Sequence, residues 1–273
     1  MQRARLVDHV ILVFGSAFML MPVLLLVMTS THDNSSISQG GLQLSPGNAG
    51  LDPYRTILFT EDLFNNGVSA LDMLVNSTIV AVGIATVQCI FSMLAAYALI
   101  YFRLPGAQVL FGIILVSMFF PVETRIIPTF LVTDQMGLLN TYTGMILPVA
   151  ATGLGTLVFR QFLRQIPDEM LEAAKLDGAG PLKFLWDILL PLSLPMVVAL
   201  FAMLFVIGWN QYMWPLMINT TSEEHYTIVR GIERVNATVN TGMALAVLAM
   251  VPPLAVMLVA QRWIVRSLMH GFH

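Results

Sequence analysis

The chain contains one cysteine, Cys89, and two lysines, Lys175 and Lys183. A single cysteine cannot close an internal disulfide. Neither lysine follows glycine in a Gly-x-x-x-x-Gly-Lys-Ser/Thr loop, so the chain lacks that cradle for nucleotide phosphates. It also lacks His-Glu-x-x-His and Gly-x-Ser-x-Gly motifs, which leaves a membrane-embedded enzyme without support. His9, His32, His225, His270 and His273 show no metal-ligand spacing. Charge is scarcest of all: charged residues are 11% of 273, against about 25% in a soluble domain. The formal net charge of −3 gives no sign of a nucleic-acid partner.

What fills the chain instead is apolar. Hydrophobic residues make up 57%, and the mean hydropathy is +0.78. Uncharged runs cover 10–31, 73–102, 104–122, 135–159, 188–222 and 235–261. Each reaches the ~18–20 residues that a helix needs to cross a bilayer. Helices satisfy their own backbone hydrogen bonds, so lipid favours them over open sheets. The expectation is an all-α membrane protein of one domain over 1–273. Its spans are expected near 10–28, 76–101, 109–131, 143–162, 195–218 and 243–264.

An even number of spans puts both termini on one side. With both ends cytoplasmic, the inner set is Arg3, Arg5, Arg103, Arg160, Arg164, Lys175, Lys183, Arg262 and Arg266. The outer set is Arg55, Arg230 and Arg234, and Arg125 falls within a span. This excess fits the positive-inside rule. Arg3 and Arg5 could also open a signal peptide, but the run at 10–28 is long and no Ala-x-Ala site follows, which favours an uncleaved span.

Outside the spans, 29–72 is long and polar enough to suit a binding or partly disordered segment. Arg103-Leu104-Pro105-Gly106 punctuates a tight inner turn. Pro121 and Pro128 interrupt the third run, and Pro252-Pro253 are expected to bend the sixth. The inner stretch at about 163–191 reads as two short helices with a break. Pro167 suits a first helical turn, and Asp168 and Glu169 suit the positive end of the dipole. Gly178 suits a left-handed stop. Leu182, Leu185 and Leu189 give the second helix an apolar face.

Glu172-Ala173-Ala174, then Asp177-Gly178-Ala179, then Ile188-Leu189-Leu190-Pro191 resembles the EAA loop of ABC-importer permeases. Gly208-Trp209-Asn210-Gln211-Tyr212-Met213-Trp214-Pro215 and Gln261-Arg262-Trp263 look like its carbohydrate-uptake, maltose-like branch. Pro121-Val122-Glu123-Thr124-Arg125-Ile126 and Phe159-Arg160-Gln161-Phe162 most resemble the smaller permeases of glycerol-3-phosphate importers. The resemblance spans nearly the whole chain. It implies a type I ABC importer permease fold in a bacterial inner membrane. It also implies docking of Glu172, Ala173, Ala174, Asp177, Gly178 and Ala179 onto an ATPase. The implied partners are a second homologous permease, two ATPase subunits that bind ATP and magnesium, and a periplasmic or lipid-anchored substrate-binding protein. Membrane lipid surrounds them, and this chain itself holds no cofactor. The outer loop at 219–238, with Glu223, Glu224, Arg230, Glu233 and Arg234, is expected to reach toward the binding protein.

Two groups are candidates for the cargo path. Charges within a span are costly and usually face a cavity or a partner. Glu123 and Arg125 are therefore either helix-end charges or a site for anionic cargo, for which a guanidinium fork suits phosphate oxygens. Their spacing of two does not favour a mutual ion pair on a regular helix. Trp209, Asn210, Gln211 and Tyr212 offer aromatic faces and amides, the makeup of a polyol or sugar site; the alternative is an interfacial aromatic belt, which suits Trp214. Asn76 and Gln88 either line the path or bond a neighbouring span. Glycerol-3-phosphate leads as cargo, with neutral oligosaccharides behind. An ion-coupled transporter would need intramembrane acids and an inverted repeat, and Glu123 alone answers to the first.

Overall fold

A computed structural model describes residues 2–59, 68–102, 104–235 and 239–269, with the side chains of 2–6, 122, 234 and 266–269 excepted. Arg103, His270, His273 and the side chains of Arg3, Arg5, Arg234 and Arg266 lie outside the described residues. Every regular element among the described residues is helical. Four helical stretches are long and apolar enough to cross a membrane, or up to six if each of two bent pairs forms one span.

The chain divides into two compact units, Met1–Asn76 with Tyr226–Pro252, and Ser77–His225 with Pro253–His273. The first unit opens with α1 (Gln2–Ser30). Its side chains at Phe14, Phe18 and Met19 are exposed, a surface suited to lipid or to another helix. The segment that follows carries α2 (Asn34–Gly40) and α3 (Asp52–Phe59), and its part at 60–67 lies outside the described residues. Ser30 Oγ and Tyr54 Oη meet at 2.6 Å, and the Gly47 amide donates to Thr31 Oγ1 at 2.7 Å. Asn240 Nδ2 donates to the His32 carbonyl at 3.0 Å. These polar groups thus find partners, as the burial cost demands, whereas Thr227 Oγ1 in the same unit is buried without one.

The second unit contains most of α4 (Ala70–Tyr101), which begins in the first. Beyond it come α5 (Ala107–Met118) and α6 (Val122–Gln135), set at 103° to each other across Phe119–Pro121. The third run is therefore broken where Pro121 removes an amide donor and fixes φ. Next, α7 (Tyr142–Ile146) and a 3-10 turn (Leu147–Val149) lead across 150–152 to α8 (Gly153–Leu163), with a 52° bend. Val80, Ile84, Met145, Trp214 and Ile218 form a core here, with Tyr142 and Val149 packed against it.

Then come α9 (Asp168–Leu176) and α10 (Pro181–Phe184). A π turn (Leu185–Leu189) carries the chain into α11 (Leu190–Trp209). The widened turn suits Pro191, which cannot donate to Asp187 and whose ring would crowd that carbonyl. The helical stretch expected over 195–218 is in fact two: α11 ends at Trp209, and α12 (Met213–Ile218) resumes after a break. After α13 (Ile228–Arg234), α14 (Asn240–Met269) runs on through Pro252 and Pro253 without interruption.

Candidate functional site

The first candidate site is the α9 loop. Pro167 stands just ahead of α9, and Asp168 and Glu169 occupy its first turn. At the other end Gly178 takes φ of 74°, a left-handed angle that disfavours any side chain. Its amide donates to Lys175 O at 3.0 Å, and the Ala179 amide donates to Ala174 O at 2.9 Å. These two bonds close the helix as a Schellman motif. Glu172, Ala173, Asp177 and Gly178 are exposed, and Ala179 is half-buried. Ala174 departs from the expected surface: it is buried and packs inward.

The largest exposed group on this loop is one that motif reading passes over. Leu176 is 89% exposed between Lys175 and Asp177. Leu182 and Trp186, one turn apart beyond the break, are 70% and 63% exposed. Leu182 thus stands outside the expected apolar face, while Leu185 and Leu189 are buried. An isolated exposed leucine means little, but three exposed apolar groups around one acidic turn mark a contact surface.

α4 grips both ends of this loop. Tyr97 Oη donates to Pro181 O at 2.9 Å, and Tyr101 Oη reaches Leu163 O at 3.5 Å. The Tyr101 ring meets Phe184 edge-on, with centroids 5.4 Å apart. The loop is thus tied to a 32-residue helix.

The second candidate site is a cavity of about 740 Å³ within the second unit. Glu123 and Arg125 line it from the first turn of α6, and Gln211 and Tyr212 line it from the break after α11. These four come from two separate stretches of sequence and line one cavity. Arg125 and Glu123 do not pair with each other, in keeping with their spacing. Trp209 and Asn210 do not line this cavity. Trp209 is buried against Phe205, with ring centroids 5.7 Å apart. Asn210 Nδ2 turns back to Val206 O at 2.8 Å. Trp214 is no interfacial belt residue: it is buried and its indole N–H donates to Met145 O at 3.2 Å.

Breaks in the helices account for the cavity's chemistry. Carbonyls freed within a bilayer need partners. Gln88 Nε2 donates to Val149 O at 2.6 Å, and Ser92 Oγ, one turn on, reaches Thr152 O at 3.5 Å. Both residues line the cavity. Gln88 therefore both bonds a neighbouring segment and borders the cavity, whereas Asn76 Nδ2 donates to Tyr226 O at 3.1 Å. The Oε1 atoms of Gln88 and Gln211 are buried without a hydrogen-bond partner. Among the described residues no group of three His, Cys, Asp or Glu side chains could hold a metal ion.

Helices long and apolar enough to cross a membrane, with broken helices around a cavity that Gln88, Glu123, Arg125 and Gln211 help to line, define a multi-span membrane protein. The model of binding-protein-dependent transport system inner membrane components matches residues 88–270, and the chain belongs to that family. It is accordingly a transport subunit of the bacterial inner membrane rather than an enzyme. It is 37% identical over 271 residues to the sn-glycerol-3-phosphate transport system permease protein UgpE of Brucella melitensis, covering 97% of this chain and 96% of that one. It is 39% identical over 266 residues to the UgpE of Yersinia pestis bv. Antiqua, covering 95% and 94%. Its fold matches a chain of a bacterial ABC transporter involved in the import of the acidic polysaccharide alginate, with a TM-score of 0.80, 23% identity and 96% of each chain covered.

Proposed function

We propose that this chain forms half of the translocation path of a binding-protein-dependent importer for sn-glycerol-3-phosphate. The observation that carries the reading is near full-length similarity to permeases bearing that name. The cavity chemistry supports it: Arg125 offers a guanidinium to a phosphoryl group, and the amides and Tyr212 suit a small polyol. The complete machine comprises a second homologous permease, two ATPase subunits binding ATP and magnesium, and a periplasmic or lipid-anchored binding protein.

The α9 loop lies in the cytoplasm and docks the ATPase. Glu172 and Asp177 supply charge, Ala173 and Gly178 allow close approach, and Leu176 enters an apolar pocket on that partner. ATP-driven closure of the ATPases displaces the loop. Tyr97 and Tyr101 pass that displacement to α4, and the bundle moves between two packings, opening the cavity outward. Hydrolysis resets it. The outer loop around α13 meets the binding protein, with Arg230 held rigidly by Tyr226 at 2.8 Å.

The test is complementation. A strain lacking its glycerol-3-phosphate permeases, supplied with this chain and its partners, should regain uptake of radiolabelled glycerol-3-phosphate. Uptake of neutral oligosaccharide alone would overturn the cargo assignment.

A further inference from the structure

The cavity has one wall that side-chain chemistry alone does not describe. α8 is 11 residues long and starts at Gly153, at the break after Ala150–Thr152. Thr152, Gly153, Leu154 and Thr156 all line the cavity. Thr152 stands at the N-cap, yet its side chain makes no capping bond. The first intrahelical bond, Thr156 N–H to Thr152 O, is long at 3.4 Å. The amides of Gly153, Leu154 and Gly155 have no acceptor among the described residues. An uncapped helix start of this kind carries about half a positive charge and free N–H donors. It is suited to an anion.

The neighbouring wall supplies an independent observation. Gln88 is 7% exposed and borders the cavity. Its Nε2 must be the atom facing Val149 O at 2.6 Å, because a carbonyl can only accept. Its Oε1 is thereby fixed as an acceptor, and it has no donor. A buried acceptor left without a donor is destabilising, because it has given up its bonds to water. That cost is relieved by a ligand that brings an O–H. Arg125 and Glu123 are the two formal charges in the lining and cancel, so the helix start tips the local balance toward an anion.

Building on the proposed cargo path, the geometry points to a two-part subsite for a phosphorylated polyol. The phosphoryl oxygens accept from the Gly153 and Leu154 amides at the start of α8, with Arg125 lining the same cavity. A hydroxyl of the cargo donates to Gln88 Oε1. Gln211 Oε1, likewise without a donor, takes a second hydroxyl.

The test is ligand titration of the purified complete importer, read by the fluorescence of Trp214 in the cavity wall, with glycerol-3-phosphate and inorganic phosphate as separate probes. Thr152→Asp places a carboxylate on the free amides. It should weaken both probes by on the order of tenfold or more. Asp is a favoured N-cap, so the substitution favours the helix itself. Thr152→Asn caps without charge and should weaken both by about fivefold; it decides the matter should the Asp variant not assemble. Gln88→Met should weaken glycerol-3-phosphate and leave inorganic phosphate unchanged. A structural role for Gln88 would move both probes alike, and that result overturns its assignment. Wild-type phosphate binding by Thr152→Asp, with Arg125→Ala impaired, overturns the helix-start seat alone. Wild-type binding by all these variants overturns the cavity as the cargo path.

Discussion

The α9 loop and the central cavity sit in the same unit and are built by opposite means. The loop is contiguous: Asp168 through Ala179 fold on themselves, closed by two backbone bonds around Gly178. The cavity is assembled from four separated stretches of sequence, 88–95, 114–129, 148–156 and 204–214. The loop exposes its charged and apolar groups on a rigid local motif. The cavity exposes polar groups because three apolar runs are interrupted, and each interruption frees backbone atoms in a medium without water. A contact surface can be made locally, whereas a polar path through lipid needs non-local repair, here by Gln88 and Ser92.

Substitutions at four positions separate these two constructions. Glu172→Lys should have the largest effect: charge reversal at a docked surface weakens ATPase co-purification on the order of 100-fold. Cargo titration of the isolated permease pair should be unaffected; weakened cargo affinity there would mean that loop and cavity are not separable. Leu176→Ser follows. Losing a buried apolar anchor costs about 2 kcal/mol, roughly 30-fold in ATPase affinity. Full retention of the ATPase would leave the exposed leucine as mere surface.

Arg125→Ala acts on the other side of the comparison. Glycerol-3-phosphate uptake should fall about tenfold at unchanged ATPase co-purification, the size expected for one charge-assisted contact. Arg125→Lys should recover part of it, since the charge stays and the fork is lost. Tyr97→Phe is the smallest and the most telling for coupling. It removes one hydrogen bond of about 1 kcal/mol, so cargo-stimulated ATP hydrolysis should drop about fivefold while cargo affinity holds. Equal rates in the two proteins would remove α4 from the coupling route.

Legibility in the chain follows the same divide. Gly178 is readable because a left-handed helix stop is a one-residue requirement. Asp168 and Glu169 are readable because dipole complementarity acts within one turn. Ala174 is not: two adjacent alanines look alike in sequence, and which one faces inward depends on the helix's rotation against its neighbours. The breaks are half visible. Pro121 announces an interruption, but no proline or glycine stands at Asn210–Tyr212, so the run to Ile218 reads as continuous. That break moves Gln211 and Tyr212 into the cavity and leaves Trp209 and Asn210 out of it. For Gln88 the sequence admits bonding to a neighbouring span or lining of the cargo path; the bond to Val149 O is present, and the side chain borders the cavity.

Hydropathy and one short motif are enough to determine the class of this protein and its helical character, and they single out the α9 loop as the segment to test for docking. Those properties follow from composition and from contacts a few residues apart, where the energy terms act along the chain. Which polar atoms meet in the cavity is decided by packing. The α4 amide opposite a freed carbonyl, and the uncapped start of α8 lining one cavity with Arg125, bring together residues 27 to 61 positions apart. Non-local hydrogen bonds of this kind leave no periodic trace in sequence, because their partners are chosen by how the helices cross and where they break.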